Sequence, residues 1–211
     1  MDTQTYWKNV HTKYKTQDWI RKPTIFATEV IQYFPHNGRI LELGCGQGQD
    51  GIYFSKQGYE VLSTDFSEFA LGAAREVAKS EEIRNIEFRQ VDMTKPLSFD
   101  KDSFDVIYSH LALHYYTIER TKELFDKIYS LLKPDGVFAT LTNTIEDPEI
   151  PELEKVDENY YRTPEGLLKR YFSVESVLDL TKKFETVLAD SNGRTYKDEI
   201  GTLIRYVGKK R

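Results

Sequence analysis

Cysteine is nearly absent from this chain. A single Cys45 in 211 residues rules out an internal disulfide and a cysteine-based metal cluster, and it suits a reducing compartment. Long apolar runs are missing as well. No window approaches the ~18 consecutive apolar residues of a membrane span, and the first ten residues, MDTQTYWKNV, carry an early acid. Clustered positive charge is confined to Lys209-Lys210-Arg211 in a chain of formal net charge -5, so the footprint of a phosphate-backbone binder is not visible. These absences lead us to expect a cytoplasmic, unanchored protein with neither nucleic acid nor membrane as partner. They leave the oligomeric state open.

The glycines that are present are concentrated where they carry meaning. Ile40-Leu41-Glu42-Leu43 is an apolar run that ends in Gly44, Gly46, Gly48 and Gly51, and a helix-compatible segment follows at once. Strand, glycine loop and helix start form a site where a ligand can approach the backbone closely and meet unpaired N–H groups. A nucleotide-like cofactor is the first expectation.

The same pattern of strand followed by helix recurs along the chain. Tyr59 to Asp65, Ile86 to Asp92, Phe104 to Ser109 and Val137 to Thr142 read as further strands. Helical patterns run from Ser67 to about Lys79 and from Ile118 to Leu132, the latter stopped by Lys133-Pro134-Asp135-Gly136. Such alternation predicts βαβ units, a doubly wound parallel sheet and a ligand at the carboxyl ends of the strands. Gly44, Asp65, Asp92 and Ser109 then share one rim. Phe184 to Asp190 and Ile200 to Val207 alternate as strands around an Asn192-Gly193 turn signal, which predicts a seven-stranded Rossmann-like sheet closed by an antiparallel hairpin. A single domain over residues 1–211 is expected.

Two further stretches belong to the expected rim. Residues 3 to 20 set Trp7, Val10, His11 and Tyr14 at helical spacings, and with Thr24 to Phe34 they form a helical cap over residues 1–37: packing on the core is the plainer reading, a lid over the cofactor the sharper one. Residues 144–172 combine a long acidic loop, taken first as a solvated excursion, with a helical pattern at Glu165 to Tyr171; a second helical pattern runs from Val174 to Lys183.

Gly46-Gln47-Gly48-Gln49-Asp50-Gly51 formally matches the dinucleotide pattern G-x-G-x-x-G. Two residues speak against it. Gly44 comes first after the strand, and Glu42 puts a carboxylate where a pyrophosphate would be repelled. A cofactor with a cationic end fits better. The stretch Glu42-Leu43-Gly44-Cys45-Gly46-Gln47-Gly48 resembles the first motif of class I S-adenosylmethionine-dependent methyltransferases, and FDVIYSHLALHY and LLKPDGVFATL resemble later motifs of that family. The resemblance implies S-adenosylmethionine as cofactor. It places Glu42, Gly44, Cys45 and Gly46 in the glycine loop, Asp65 on the ribose, Asp92 near the adenine amino group, Phe66 and Met93 against the adenine, and Ser109 on the rim. No metal is implied.

For the acceptor, the resemblance points to residues after strand four: His110, His114, Tyr115 and Tyr116, with His114 as candidate base. Trp7, Tyr14 and Arg170 are further candidates for substrate contact. The Asn/Asp-Pro-Pro-aromatic signature of amino-directed DNA methyltransferases is absent, which favours a small-molecule acceptor. The tail is similar to the tellurite-resistance and thiopurine type, which implies a soft anion or thiol held by Arg170 or Arg162. A nicotinamide-dependent oxidoreductase and a catalytically silent protein-binding domain are the alternatives.

Overall fold

A computed structural model describes residues 3–15, 17–196 and 201–211. Six α-helices and ten strands are named in chain order: α1 (Thr3–Tyr14), α2 (Ile25–Val30), β1 (Arg39–Leu43), α3 (Gln49–Lys56), β2 (Glu60–Asp65), α4 (Glu68–Ser80), β3 (Ile86–Gln90), β4 (Phe104–His110), α5 (Ile118–Leu131), β5 (Leu132–Thr142), β6 (Glu154–Asp157), β7 (Tyr160–Arg162), β8 (Leu168–Arg170), α6 (Val174–Leu180), β9 (Phe184–Gly193) and β10 (Leu203–Lys210). Seven strands form one sheet in the order β3-β2-β1-β4-β5-β10-β9. The first five are parallel, and β10 runs antiparallel to both β5 and β9.

Period-two alternation builds the two faces of this sheet. Leu41, Leu43, Ile107 and Phe138 enter one buried cluster with Leu124, Phe125 and Ile128 of α5. Their chain neighbours Ile40, Val106, Val137 and Ala139 enter the other, with Phe26 and Val30 of α2 and Phe54 of α3. The helices begin where hydroxyls can cap them: Thr24, Ser67, Thr117 and Ser173 accept from the amides of Ala27, Ala70, Arg120 and Ser176. The strand order reverses between β2-β1 and β4-β5, so a crevice opens beside the carboxyl ends of β1 and β4.

The structure corrects several boundaries. The helical pattern at Glu165 to Tyr171 is strand β8, which joins β6 and β7 in a separate antiparallel sheet within the expected acidic loop. Gly166, at φ +89°, closes a turn in which its amide bonds the Thr163 carbonyl and the Thr163 amide bonds Leu167, and that turn aims the chain back along β7. Strand β3 ends at Gln90, short of Asp92. The Lys133-Pro134-Asp135-Gly136 turn survives as a bulge inside β5, with Asp135 at φ +63°. Strand β9 runs through Asn192 and Gly193, so the hairpin connection lies beyond them. Ile200, expected to open the last strand, lies outside the described residues.

Candidate active site

Strand β1 delivers the glycine loop to the end of β2, and hydrogen bonds hold it there. The amides of Gly44 and Cys45 both donate to the Thr64 carbonyl at 2.8 Å. One step on, the Gly46 amide donates to Asp65 Oδ2 and the Ser67 amide to Oδ1, each at 2.8 Å. Each carboxylate oxygen of Asp65 keeps a free lone pair toward the cavity in front of it. Gly44 sits at φ +76°, and a Cβ there would come within 2.1 Å of Ala112 Cβ, so the loop can lie this close to the β4 exit only as glycine.

Glu42 lies beneath the loop, 3% exposed. Ser63 Oγ donates to its Oε2 at 2.5 Å, and the Gly51 amide donates as well. Burial above all, then the negative charge of Asp50, pushes its carboxyl up to about 8. A Cβ on Gly51 would lie 2.4 Å from Glu42 Oε2, so this glycine makes room for the carboxyl. Asp50, in the first turn of α3, accepts from the Thr24 amide at 2.6 Å, from Thr24 Oγ1 at 2.8 Å and from Tyr108 Oη at 2.7 Å.

Glu42, Asp50 and Asp65 all line a cavity of about 330 Å³, and the described residues around it include no lysine or arginine. Its front wall is aromatic. Trp7, His11 and Tyr14 of α1 and Trp19 of the following 3-10 turn form a continuous run with Tyr115, at ring-centroid separations from 5.1 to 6.3 Å. The Gln47 amide group donates to the His11 carbonyl at 2.9 Å and ties α1 to the glycine loop. Phe66, Met93 and Tyr116 add apolar surface beside Asp65, and Tyr196 contributes from the connection after β9. Leu111, next to the β4 exit, is held at φ +51° with its amide bonded to the Leu141 carbonyl at 2.9 Å. A leucine in this left-handed conformation is strained, and the strain sits at the cavity.

The cavity therefore collects Glu42, Gly44, Cys45, Gly46, Asp65, Phe66 and Met93, together with Trp7, Tyr14, His110 and Tyr115. Five expected residues lie elsewhere. Ser109 is fully buried and donates to the Leu43 carbonyl at 2.9 Å, which ties β4 to β1. Asp92 stands just past the rim and accepts from Thr94 Oγ1 at 2.6 Å and from the Thr94 amide at 2.9 Å. Burial alone would raise its carboxyl, but these bonds and Lys95 hold it below its ordinary value. Arg170 donates from Nε to the Tyr116 carbonyl and from Nη1 to the Glu158 carbonyl and stacks over Tyr160 at 4.7 Å, outside the cavity lining, while Arg162 pairs with Glu154 at 3.0 Å.

His114 is the clearest correction. It is buried away from the cavity lining, and burial, with Lys169 and His110 adding to it, lowers its imidazole to about 3. His110, four residues earlier, lines the cavity instead; residues 111–117 between β4 and α5 are irregular, and the chain turns at Leu111.

Residues without a motif complete the site. His11 was visible in the sequence only through its helical spacing with Trp7 and Tyr14. Thr24 and Tyr196 carry no local signal of a site and reach the cavity through tertiary folding, whereas Asp50 lies inside the glycine-loop stretch at a position that the pattern leaves unspecified. Among the described residues no group of three or more His, Cys, Asp or Glu could hold a metal ion, and no helix is long and apolar enough to cross a membrane.

The family model described as "Methyltransferase domain" matches residues 35–208. The chain belongs to the methyltransferase-domain family. A protein of Geobacillus sp. (strain WCH70) that carries a methyltransferase name is 36% identical over 116 residues, 53% of this chain and 46% of that protein. The chain spans about half the length of the curated relatives it matches. Among solved structures, a SAM-dependent methyltransferase from Methanosarcina mazei aligns with a TM-score of 0.75 at 18% identity, covering 86% of this chain and 96% of that one. The Burkholderia thailandensis 1,6-didemethyltoxoflavin-N1-methyltransferase, solved with S-adenosylhomocysteine bound, aligns with a TM-score of 0.75 at 18% identity, covering 98% and 84%. The domain is of the S-adenosylmethionine-dependent class I type.

The cavity fits that cofactor. A sulfonium and an ammonium group are cations, and the acidic side chains Glu42, Asp50 and Asp65 line the cavity without a competing basic side chain. A ribose diol offers two donors, and each Asp65 oxygen has acceptor capacity beyond the one amide it takes. The pyrophosphate of a nicotinamide cofactor would meet the carboxylates of Asp50 and Asp65 and no basic side chain, which removes the support for the oxidoreductase alternative.

Proposed function

We propose that this chain transfers the methyl group of S-adenosylmethionine to a small, planar acceptor that is uncharged or cationic. The observation that carries this reading is a cavity with an acidic floor and an aromatic front wall at the carboxyl ends of β1, β2 and β4. When bound, the cofactor supplies a methyl carbon on a sulfonium. The acceptor's lone pair forms the new bond while the electron pair of the breaking C–S bond stays on sulfur, leaving a neutral thioether.

The protein's own part is positioning and exclusion of water. Asp50 and Asp65 hold the cationic partner by charge, and Glu42 joins them when a bound cation offsets its burial and draws off its proton. Trp7, Tyr14, Trp19 and Tyr115 offer flat apolar surface on which an aromatic acceptor can stack, and the same surface keeps water from the reacting atoms. An anionic acceptor gains nothing here, because Arg170 and Arg162 are engaged elsewhere. This departs from the soft-anion acceptor implied by similarity to the thiopurine type. His110 lines the cavity and His114 does not, so an acceptor that arrives protonated is better served by His110.

Calorimetric titration with S-adenosylmethionine, S-adenosylhomocysteine and NAD tests the cofactor half. Binding of the adenosyl ligands alone supports it. Binding of NAD alone refutes it, and binding of none favours a silent, partner-binding domain. Release of S-adenosylhomocysteine in a panel of phenols, N-heterocycles, amines and thiolates tests the acceptor half, and turnover of the thiolates alone refutes it.

A further inference from the structure

We propose that His11, supplied by α1 from outside the segment that matches the methyltransferase family, completes the ribose site by hydrogen-bonding the cofactor through Nδ1. The inference rests on the cofactor reading above. Family residues run from 35 to 208, so nothing in the family's motifs assigns a role to α1.

Three observations converge on this ring. His11 lines the cavity, and its Nδ1 is buried without a hydrogen-bond partner among the described residues. The edge of the ring that carries Nδ1 faces the glycine loop: a Cβ built on Gly46 would lie 3.2 Å from His11 Cε1 and 3.9 Å from Nδ1. The Gly46 amide is in turn the group that donates to Asp65 at 2.8 Å, so the imidazole edge and the carboxylate both approach the same glycine. A vicinal diol bonded to Asp65 has hydroxyl oxygens left to satisfy, and a neutral imidazole can meet them as donor or acceptor.

The ring is also prepared for that task. Trp7 and Tyr14 flank it at 5.9 and 6.3 Å between ring centroids, and the Gln47 side chain clamps its carbonyl at 2.9 Å. Burial lowers its proton affinity against the opposing pull of Asp65 and favours the uncharged form. A histidine that served only to pack the helix would not leave a buried nitrogen unmatched beside the glycine loop.

The test is calorimetric titration of the full chain and of His11→Ala, His11→Asn and Lys8→Ala with S-adenosylhomocysteine and with adenosine, which keeps the ribose and lacks the amino acid. His11→Ala should weaken both ligands by roughly tenfold, the scale of one hydrogen bond. His11→Asn, whose side-chain amide sits near the Nδ1 position, should restore most of that loss. Lys8→Ala, on the exposed face of α1, should match the parent. Parent-like affinity in His11→Ala overturns the proposal. So does equal weakness in His11→Ala and His11→Asn, which would make His11 a packing residue. A loss for S-adenosylhomocysteine without one for adenosine overturns the ribose assignment. Failure of the parent itself to bind either ligand would overturn the cofactor reading, and is told apart by needing no variant.

Discussion

Replacing Glu42 by Gln should make the protein more stable and a poorer binder of its cofactor, and the stability gain should grow as pH rises from about 5 to 8. The carboxyl is buried beside Asp50 and Asp65 and is raised from its ordinary value of 4.5 to about 8. Between those two values the folded chain holds a proton that the unfolded chain has lost, so stability falls as pH rises through this window. At ~1.4 kcal/mol per pKa unit, a displacement from 4.5 to about 8 corresponds to roughly 5 kcal/mol when fully expressed. Glutamine keeps the shape and can still accept from Ser63 and from the Gly51 amide, but it never ionises. Parent and variant should therefore unfold within about 1 kcal/mol of each other at pH 5, where Glu42 is protonated in the folded state, and the variant should lead by about 3–5 kcal/mol at pH 8. Urea titrations followed by far-UV circular dichroism at both pH values measure this, and subtraction cancels every other titrating group. A difference that does not change with pH would refute the reasoning, because it would mean that Glu42 ionises in the folded chain as easily as in water. Weaker binding of S-adenosylmethionine by the same variant at pH 8 would show what the destabilising charge is kept for.

Three further outcomes follow from the geometry. Asp65→Ala should weaken S-adenosylhomocysteine binding by about 1.5–3 kcal/mol, since the cofactor loses a charged acceptor and the Gly46 and Ser67 amides lose theirs; calorimetry that finds parent-like affinity would defeat the ribose assignment. Gly44→Ala should cost about 3 kcal/mol or more in chemical denaturation, because φ is +76° and the new methyl would overlap Ala112; a variant of parental stability would show that the loop relaxes freely. His114→Gln should leave the pH–rate profile between pH 6 and 9 unchanged, because an imidazole lowered to about 3 is neutral throughout; the disappearance of an inflection would restore His114 as the base.

The floor of the site was legible in the sequence because it is contiguous. Glu42 to Gly48 is one strand and one loop, and Asp65 ends the next strand, so a spacing argument reaches all of it. The wall was legible in part. Trp7, Tyr14, Tyr115 and Tyr116 stood out as candidates, whereas Trp19, Thr24 and Tyr196 join them only after the chain has folded, and no local pattern marks those three as site residues. The five parallel strands were readable from apolar runs, three of which end in glycine or acid, whereas β6, β7 and β8 are only three or four residues long and carry too few alternations to compete with a helical pattern. His114 could not be placed from its position after β4, because the segment that carries it is irregular and turns at Leu111, φ +51°.

The aromatic wall also divides the molecule into two parts that can be watched separately. Both tryptophans of the chain, Trp7 and Trp19, stand in that wall, and the seven-stranded sheet contains neither. Intrinsic fluorescence at tryptophan wavelengths therefore sees the front of the cavity, while circular dichroism sees the sheet. The chain carries its own gauge of whether the door over the cavity is shut, independent of whether the house behind it still stands.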